Sequence, residues 1–170
     1  MADTDAFRID NIRERGDDSL KQRAIDRWLA DGVMPAAEAS RRAEELLLVA
    51  THIADDEVAG MATTYLGTGG RLDLPLWHMR AYVAPDYRRH EIAFRMLMEA
   101  MQYHRGEFAA GRDTRGLGLY MEIENPYIKQ HRNQALWPLS GLTFVGVNAR
   151  GDHCRVAYFE GARLDQAARR

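Results

Sequence analysis

The chain has a single cysteine, Cys154, in 170 residues. That excludes an internal disulfide framework and a cysteine-rich metal site. Cys154 itself reads as a small core residue of a strand. Long apolar runs are also missing. Leu46-Leu47-Leu48-Val49-Ala50 is among the longest, and it is far too short to cross a bilayer. Neither sign of charge dominates: the formal net charge is −2, with 28% of residues charged. This balance argues against broad, charge-driven binding to nucleic acid. His52, His104, His131 and His153 are scattered without the spacing of metal ligands. Gly67-Thr68-Gly69-Gly70 lacks the lysine and following hydroxyl of a phosphate-binding P-loop and reads as linkage. The opening Met1-Ala2-Asp3-Thr4-Asp5 is acidic and lacks the basic, then apolar pattern of a signal peptide. A cytoplasmic location is the expectation.

What is present suits one globular domain over residues 1–163, followed by a charged tail over 164–170, with 46% hydrophobic residues to form its core. Phe7 to Ile12 alternates apolar with polar and predicts a strand. Asp17-Asp18-Ser19 offers an N-cap, and Leu20, Ala24, Ile25, Trp28 and Leu29 follow at helical spacing up to Asp31-Gly32. Pro35 can open a second helix running to about Leu46. Strands are then expected over 48–53, 58–66 and 74–83. Pro85 should start a long helix whose stripe is Ile92, Ala93, Met96, Leu97, Ala100, Met101 and His104. A polar connection over 106–116, a strand over 117–124 and a helix from Pro126 to about Leu136 come next. A hairpin over 142–147 and 154–159 closes the chain. Helices that interrupt a largely antiparallel sheet place it in the mixed α/β (α+β) class.

One stretch carries most of the chemistry: Ala81-Tyr82-Val83-Ala84-Pro85-Asp86-Tyr87-Arg88-Arg89-His90-Glu91-Ile92-Ala93. It reads as a strand, a tight turn and a helix start. Backbone N–H groups at a helix N-terminus lack partners and attract anions. Cations in a first turn oppose the helix dipole unless an anion sits on them. Arg88, Arg89 and His90 are therefore either an anion site or a solvated charge run.

The same stretch resembles motif A of the GNAT acetyltransferase superfamily, a strand followed by "V-x-P-x-[YF]-R" and the phosphate loop "[RQ]-x-x-G-x-[GA]". Val83, Pro85, Tyr87, Arg88 and Ala93 match, while Glu91 stands where the family usually has glycine. The order of elements also resembles the family's. Asn125 resembles the Asn after its fifth strand, and Gly141-Leu142 its "G-F" before the last hairpin. The resemblance implies a mostly antiparallel sheet with flanking helices, whose fourth and fifth strands splay apart to admit the pantetheine arm of acetyl-CoA.

It further implies transfer of an acetyl group from acetyl-CoA to an amine of a small molecule or peptide by direct attack. No metal, nucleic acid or membrane is expected to take part. The cofactor-binding set carried over is Tyr82 and Val83 for pantetheine, Arg88, Arg89, His90, Glu91, Ile92 and Ala93 for the pyrophosphate, and Asn125. A backbone N–H at the end of the fourth strand would polarise the thioester carbonyl. The family's proton-donating Tyr, four residues before the "G-F" glycine, is replaced by Trp137, so Tyr127 is the substitute acid. The amine also needs a base. His78, Glu122 and Glu124 are the candidates, and Glu122 and Glu124, on one face of a strand, are favoured. Pairing of C-terminal strands between chains would give a homodimer. Two other readings stay open: a catalytically degenerate GNAT-fold protein acting as a CoA-binding or protein-interaction module, and an unrelated α/β domain.

Overall fold

The computed structural model describes residues 6–68, 72–88 and 91–165. Eight strands form one mostly antiparallel sheet flanked by helices, a mixed α/β fold. The elements are β1 (Phe7–Asn11), α1 (Ile12–Arg15), α2 (Asp18–Ala30), α3 (Ala36–Ala43), β2 (Leu46–His52), β3 (Val58–Gly67), β4 (Leu76–Val83), α4 (Ile92–Ala109), β5 (Gly118–Ile123), α5 (Pro126–His131), β6 (Leu136–Trp137), β7 (Leu142–Val147) and β8 (His153–Tyr158). Hydrogen bonding orders the strands β1-β2-β3-β4-β5-β8-β7-β6. Two compact units share this chain: residues 1–64 with 81–100, and residues 65–80 with 101–170. Strands β3 and β4 and helix α4 each pass from one unit into the other.

In the first unit, β1 and β2 pair antiparallel with Ile9 opposite Ala50, and β2 pairs antiparallel with β3. Leu46 to Ala50 are all at most 2% exposed. A strand covered on both faces reads as an unbroken apolar run, which is why this segment lacks alternation. Asp17 caps α2 by accepting from the Leu20 N–H at 2.9 Å. Trp28, Leu20 and Ala24 of that helix pack with Ala39 and Ala43 of α3 and with Leu46, Val49, Val58 and Met61.

In the second unit, β5 pairs with β8 along its whole length, from Gly118↔Tyr158 to Ile123↔His153. On its other side β5 meets β4 in a short parallel ladder of two residue pairs, Trp77↔Leu119 and His78↔Tyr120. Leu76, Leu117, Tyr120, Cys154 and Val156 form its core.

Several boundaries differ from the expected ones. α3 ends at Ala43, because Glu44 and Glu45 N–H groups turn back to the carbonyls of Arg41 and Arg42 and Leu46 enters the sheet. Pro85 starts only a 3-10 turn, Pro85–Tyr87, and α4 begins at Ile92. A positive φ of 54° at Glu91 separates the two. α4 then runs past Gly106 to Ala109 and stops at Gly111, whose φ is 71°. α5 ends at His131, since Arg132 leaves helical geometry (φ −124°, ψ 47°). α1 is an unexpected extra turn, capped by Asn11 accepting from the Glu14 N–H. Phe94, outside the expected stripe, is 42% exposed. Of the expected α4 stripe, only Ala93 is exposed.

Candidate functional site

In the first unit the turn after β4 is tied down from its apolar side. Ala84 is fully buried and its N–H bonds to the Ala59 carbonyl at 2.9 Å. Gly60 allows this close approach: a Cβ there would stand 2.9 Å from the Tyr82 carbonyl oxygen. Tyr87 N–H donates to the Ala84 carbonyl at 2.9 Å, and its hydroxyl reaches Asp55 Oδ2 at 3.0 Å. Ile92, at the head of α4, is 1% exposed. The turn is thus anchored through Ala84, Tyr87 and Ile92, while Arg88 and Glu91 remain exposed.

Arg88 donates from Nε to the Val83 carbonyl at 3.2 Å. It sits at the C-terminal end of the 3-10 turn, ahead of α4 rather than in its first turn as expected. Arg89 and His90 lie outside the described residues. Ile92 and Ala93 are the first residues of α4, where backbone N–H groups have no partner within the helix. Glu91 holds the left-handed conformation that glycine adopts without strain. Its carboxylate pairs with no cation among the described residues.

Tyr82 carries a second contact. Its hydroxyl donates to Asp31 Oδ2 at 2.7 Å, and Arg27 Nε holds the same oxygen at 2.8 Å. Burial first, and then Asp31, push the Tyr82 hydroxyl up to about 12. Burial pushes Asp31 the other way from its partners, but Tyr82 and Arg27 together hold its carboxyl below the usual range, with help from the Arg88 charge. This network joins the α2 C-terminus, β4 and the turn within one unit.

In the second unit the favoured bases are engaged. Glu122 Oε2 and Glu124 Oε1 both contact Arg150 Nη2, at 3.0 and 3.3 Å. Glu122 Oε1 also accepts from the Tyr120 hydroxyl at 3.2 Å. Arg150 Nε completes the cluster on Asp152 Oδ2 at 2.9 Å. Strand alternation did place Glu122 and Glu124 together, yet as the two arms of one ion-pair cluster. Asn125 caps α5, accepting from the N–H groups of Tyr127 (2.9 Å) and Ile128 (3.4 Å). Tyr127 is 66% exposed and stacks on His131 at 4.2 Å. Trp137 gives its indole N–H to the Arg132 carbonyl at 2.9 Å and lies 4.1 Å from the Arg155 guanidinium.

His78 is set differently. Its ring lies 5.0 Å from that of Tyr65 and 4.7 Å from that of Tyr120, with Nδ1 3.4 Å from the Tyr65 hydroxyl. Its Nε2 is buried and makes no hydrogen bond. Burial first, and the Arg80 charge, push its pKa below the ordinary value against the pull of Glu122. The partners of His78 come from three strands, and no spacing in the sequence signals them. Among the described residues no group of three or more His, Cys, Asp or Glu could hold a metal ion. No described helix is long and apolar enough to cross a membrane.

Comparisons with known proteins bear on this arrangement. Residues 10–120 match the family model of the Acetyltransferase (GNAT) family. Ribosomal-protein-S5-alanine acetyltransferase from Vibrio fischeri matches with a TM-score of 0.60 and 10% identity, over 93% of this chain and 96% of that one. A GNAT-family acetyltransferase from Streptococcus pneumoniae matches at 0.58 and 11%, over 90% and 99%. AtaTR bound with acetyl-CoA matches at 0.58 and 13%, over 95% and 99%. At these identities the likeness is one of fold. No curated protein matches the chain.

Proposed function

The chain belongs to the GNAT acetyltransferase family, and from that premise we propose that it transfers an acetyl group from acetyl-CoA to an amine of a small molecule or peptide. Residues 1–163 serve as the acyltransferase domain. The amine attacks the thioester directly, with no covalent enzyme intermediate. The observation that carries this reading is the backbone at Glu91. Where the family's phosphate loop has glycine, this chain keeps glycine's conformation, φ 54°, in spite of a side chain that disfavours it. Strained backbone of this kind concentrates at ligand-binding sites. The anchored turn leaves Arg88 and the first N–H groups of α4 to meet the pyrophosphate of the donor.

A titration of melting temperature with acetyl-CoA and with CoA tests the proposal. A ligand that binds only the folded chain at 100 times its Kd adds about 2.7 kcal/mol of stability. No stabilisation at millimolar ligand would overturn the reading. Arg88→Ala removes one charge-assisted contact and should weaken acetyl-CoA about 10- to 100-fold, as loss of about 1.5–3 kcal/mol implies, with unchanged melting of the free protein. Equal affinity would remove Arg88 from the pyrophosphate site.

Glu91→Gly gives an independent check on the loop. A non-glycine residue in the left-handed region costs about 1–2 kcal/mol, and glycine returns part of that through its looser unfolded chain. We expect a net gain of about 0.5 kcal/mol and tighter acetyl-CoA binding, because a negative charge leaves the neighbourhood of the pyrophosphate. Calorimetric titration reads the affinity; weaker binding would mean that the carboxylate serves the donor.

The second reading, a CoA-binding protein without turnover, is favoured by Glu122, Glu124 and Trp137. The two carboxylates are held by Arg150 and the indole N–H by the Arg132 carbonyl. Stabilisation by acetyl-CoA without thiol release on a broad panel of primary amines would select it.

A further inference from the structure

Within the first unit, the turn after β4 is tied to the loop between β2 and β3 through one side chain. Tyr87 precedes Arg88, and its ring packs against two others. Phe7 of β1 meets it edge-on at 5.8 Å and 87°, and His52 of β2 lies 5.3 Å away. Phe7 and His52 are themselves 5.0 Å apart, and Phe7 is buried. Such packing places the ring, and a phenylalanine would satisfy it equally well. The hydroxyl needs another account.

That hydroxyl donates to Asp55 Oδ2 at 3.0 Å. The other oxygen, Oδ1, accepts from the Glu57 N–H at 3.1 Å. His52 Nδ1 stands 2.8 Å from Oδ1, a close polar contact outside hydrogen-bond alignment. The Glu57 N–H first, and then His52 and Tyr87, hold the Asp55 carboxyl below the usual range against its desolvation. Burial first, and then Asp55, push the Tyr87 hydroxyl above its ordinary value. At neutral pH the two therefore meet as phenol and carboxylate, in a charge-assisted bond. A carboxylate in the neighbourhood of an anion site opposes the anion by its charge. Here both oxygens are turned to groups of the protein instead. Beyond Tyr87 the turn has exposed residues, Arg88 and Glu91, until Ile92 is buried at the head of α4. The Asp55 bond thus fixes the residue from which Arg88 projects.

We propose that Asp55, acting through the Tyr87 hydroxyl, is the positioning residue that sets Arg88 and the start of α4 for the pyrophosphate of the donor. The inference rests on the acetyltransferase reading above. Asp55 does not touch the donor. It holds the turn in its binding geometry before the donor arrives, so less order has to be imposed on binding.

Calorimetric titration of the full chain with acetyl-CoA, at a temperature where every variant is folded, tests this. Tyr87→Phe keeps the ring and the Asp55 charge and loses only the bond. We expect its Kd to rise about 10-fold, the lower end of what a bond to a charged group contributes. Asp55→Ala should weaken binding by a similar factor. The double variant should be no weaker than the worse single one, as for two residues acting as a unit. In turnover the KM for acetyl-CoA should rise while kcat at saturating donor stays within twofold, a split that a general loss of folded protein does not produce. Tyr87→Phe within twofold of wild type overturns the inference and leaves the acetyltransferase reading intact. So does tighter binding by Asp55→Ala, which would make its charge rather than its bond decisive, or a double variant weakened by the product of the two factors. A wild type that binds no acetyl-CoA overturns both readings. Should Asp55→Ala fail to fold, the affinity of Tyr87→Phe decides alone.

Discussion

Arg155→Ala is expected to cost about 4 kcal/mol of folding stability, lowering the melting midpoint by about 8–16 °C in a chain of this size. The reason is unusual for an arginine. Arg155 is 1% exposed, on β8, and its partners are carbonyls rather than a carboxylate. Nη1 reaches Ala135 and Leu142, each at 3.4 Å, and Nη2 reaches Arg132 at 3.4 Å and Gln134 at 2.7 Å. The Trp137 ring covers it at 4.1 Å. Burial alone pulls its pKa below the ordinary arginine value, which still leaves the guanidinium charged at neutral pH. The charge is balanced by four dipoles and a ring face. Truncation removes those bonds together, opens a cavity under Trp137 and leaves carbonyls of the 132–135 segment unmatched. Arg155→Lys should be nearly as damaging, since an ammonium cannot span four carbonyls with a planar fork. Chemical denaturation checks both. A loss below about 1 kcal/mol for the alanine variant would mean that water satisfies those carbonyls equally well.

Arg155 also shows where reading the sequence stops. The hairpin of β7 and β8 was legible, because its alternation and the Asn148–Asp152 turn are local signals. So were the caps at Asp17 and Asn125, each of which is read from its own neighbourhood. An arginine in the middle of a strand reads as a surface residue, and nothing local shows that its carbonyl partners arrive from 13 to 23 positions away. The long helix was misplaced at its start for a related reason. Pro85 is a good first residue for a helix, but the break at Glu91 depends on a backbone angle that composition does not encode. In the site, the pairing of Glu122 with Glu124 follows from strand period. Their capture by Arg150, 28 and 26 positions on, does not. His78 reads as one candidate among three, and its place between the rings of Tyr65 and Tyr120 follows from no local pattern.

Gly118→Ala should lose about 3 kcal/mol, the upper end of ordinary overpacking, because the obstacle is backbone. A Cβ at 118 would run into the Ala157 carbonyl oxygen and stand 2.9 Å from the Tyr158 Cα. Neither atom can rotate away as a side chain would. Relief requires β5 to part from β8 at the first pair of their ladder, Gly118↔Tyr158. That displacement is carried to Leu119 and Tyr120, the residues that hold register with Trp77 and His78. Activity should therefore fall by more than the unfolded fraction explains. A shift near 1 Å at a reacting group can cost about 100-fold. The comparison to make is kcat at a temperature where the variant is fully folded, with Gly106→Ala as control. Gly106 sits in α4 and a Cβ there meets nothing within 4 Å. Alanine there should raise stability by about 0.5–1 kcal/mol and leave kcat unchanged. If the folded Gly118→Ala protein keeps wild-type kcat, the register of β5 on β4 does not govern the reaction.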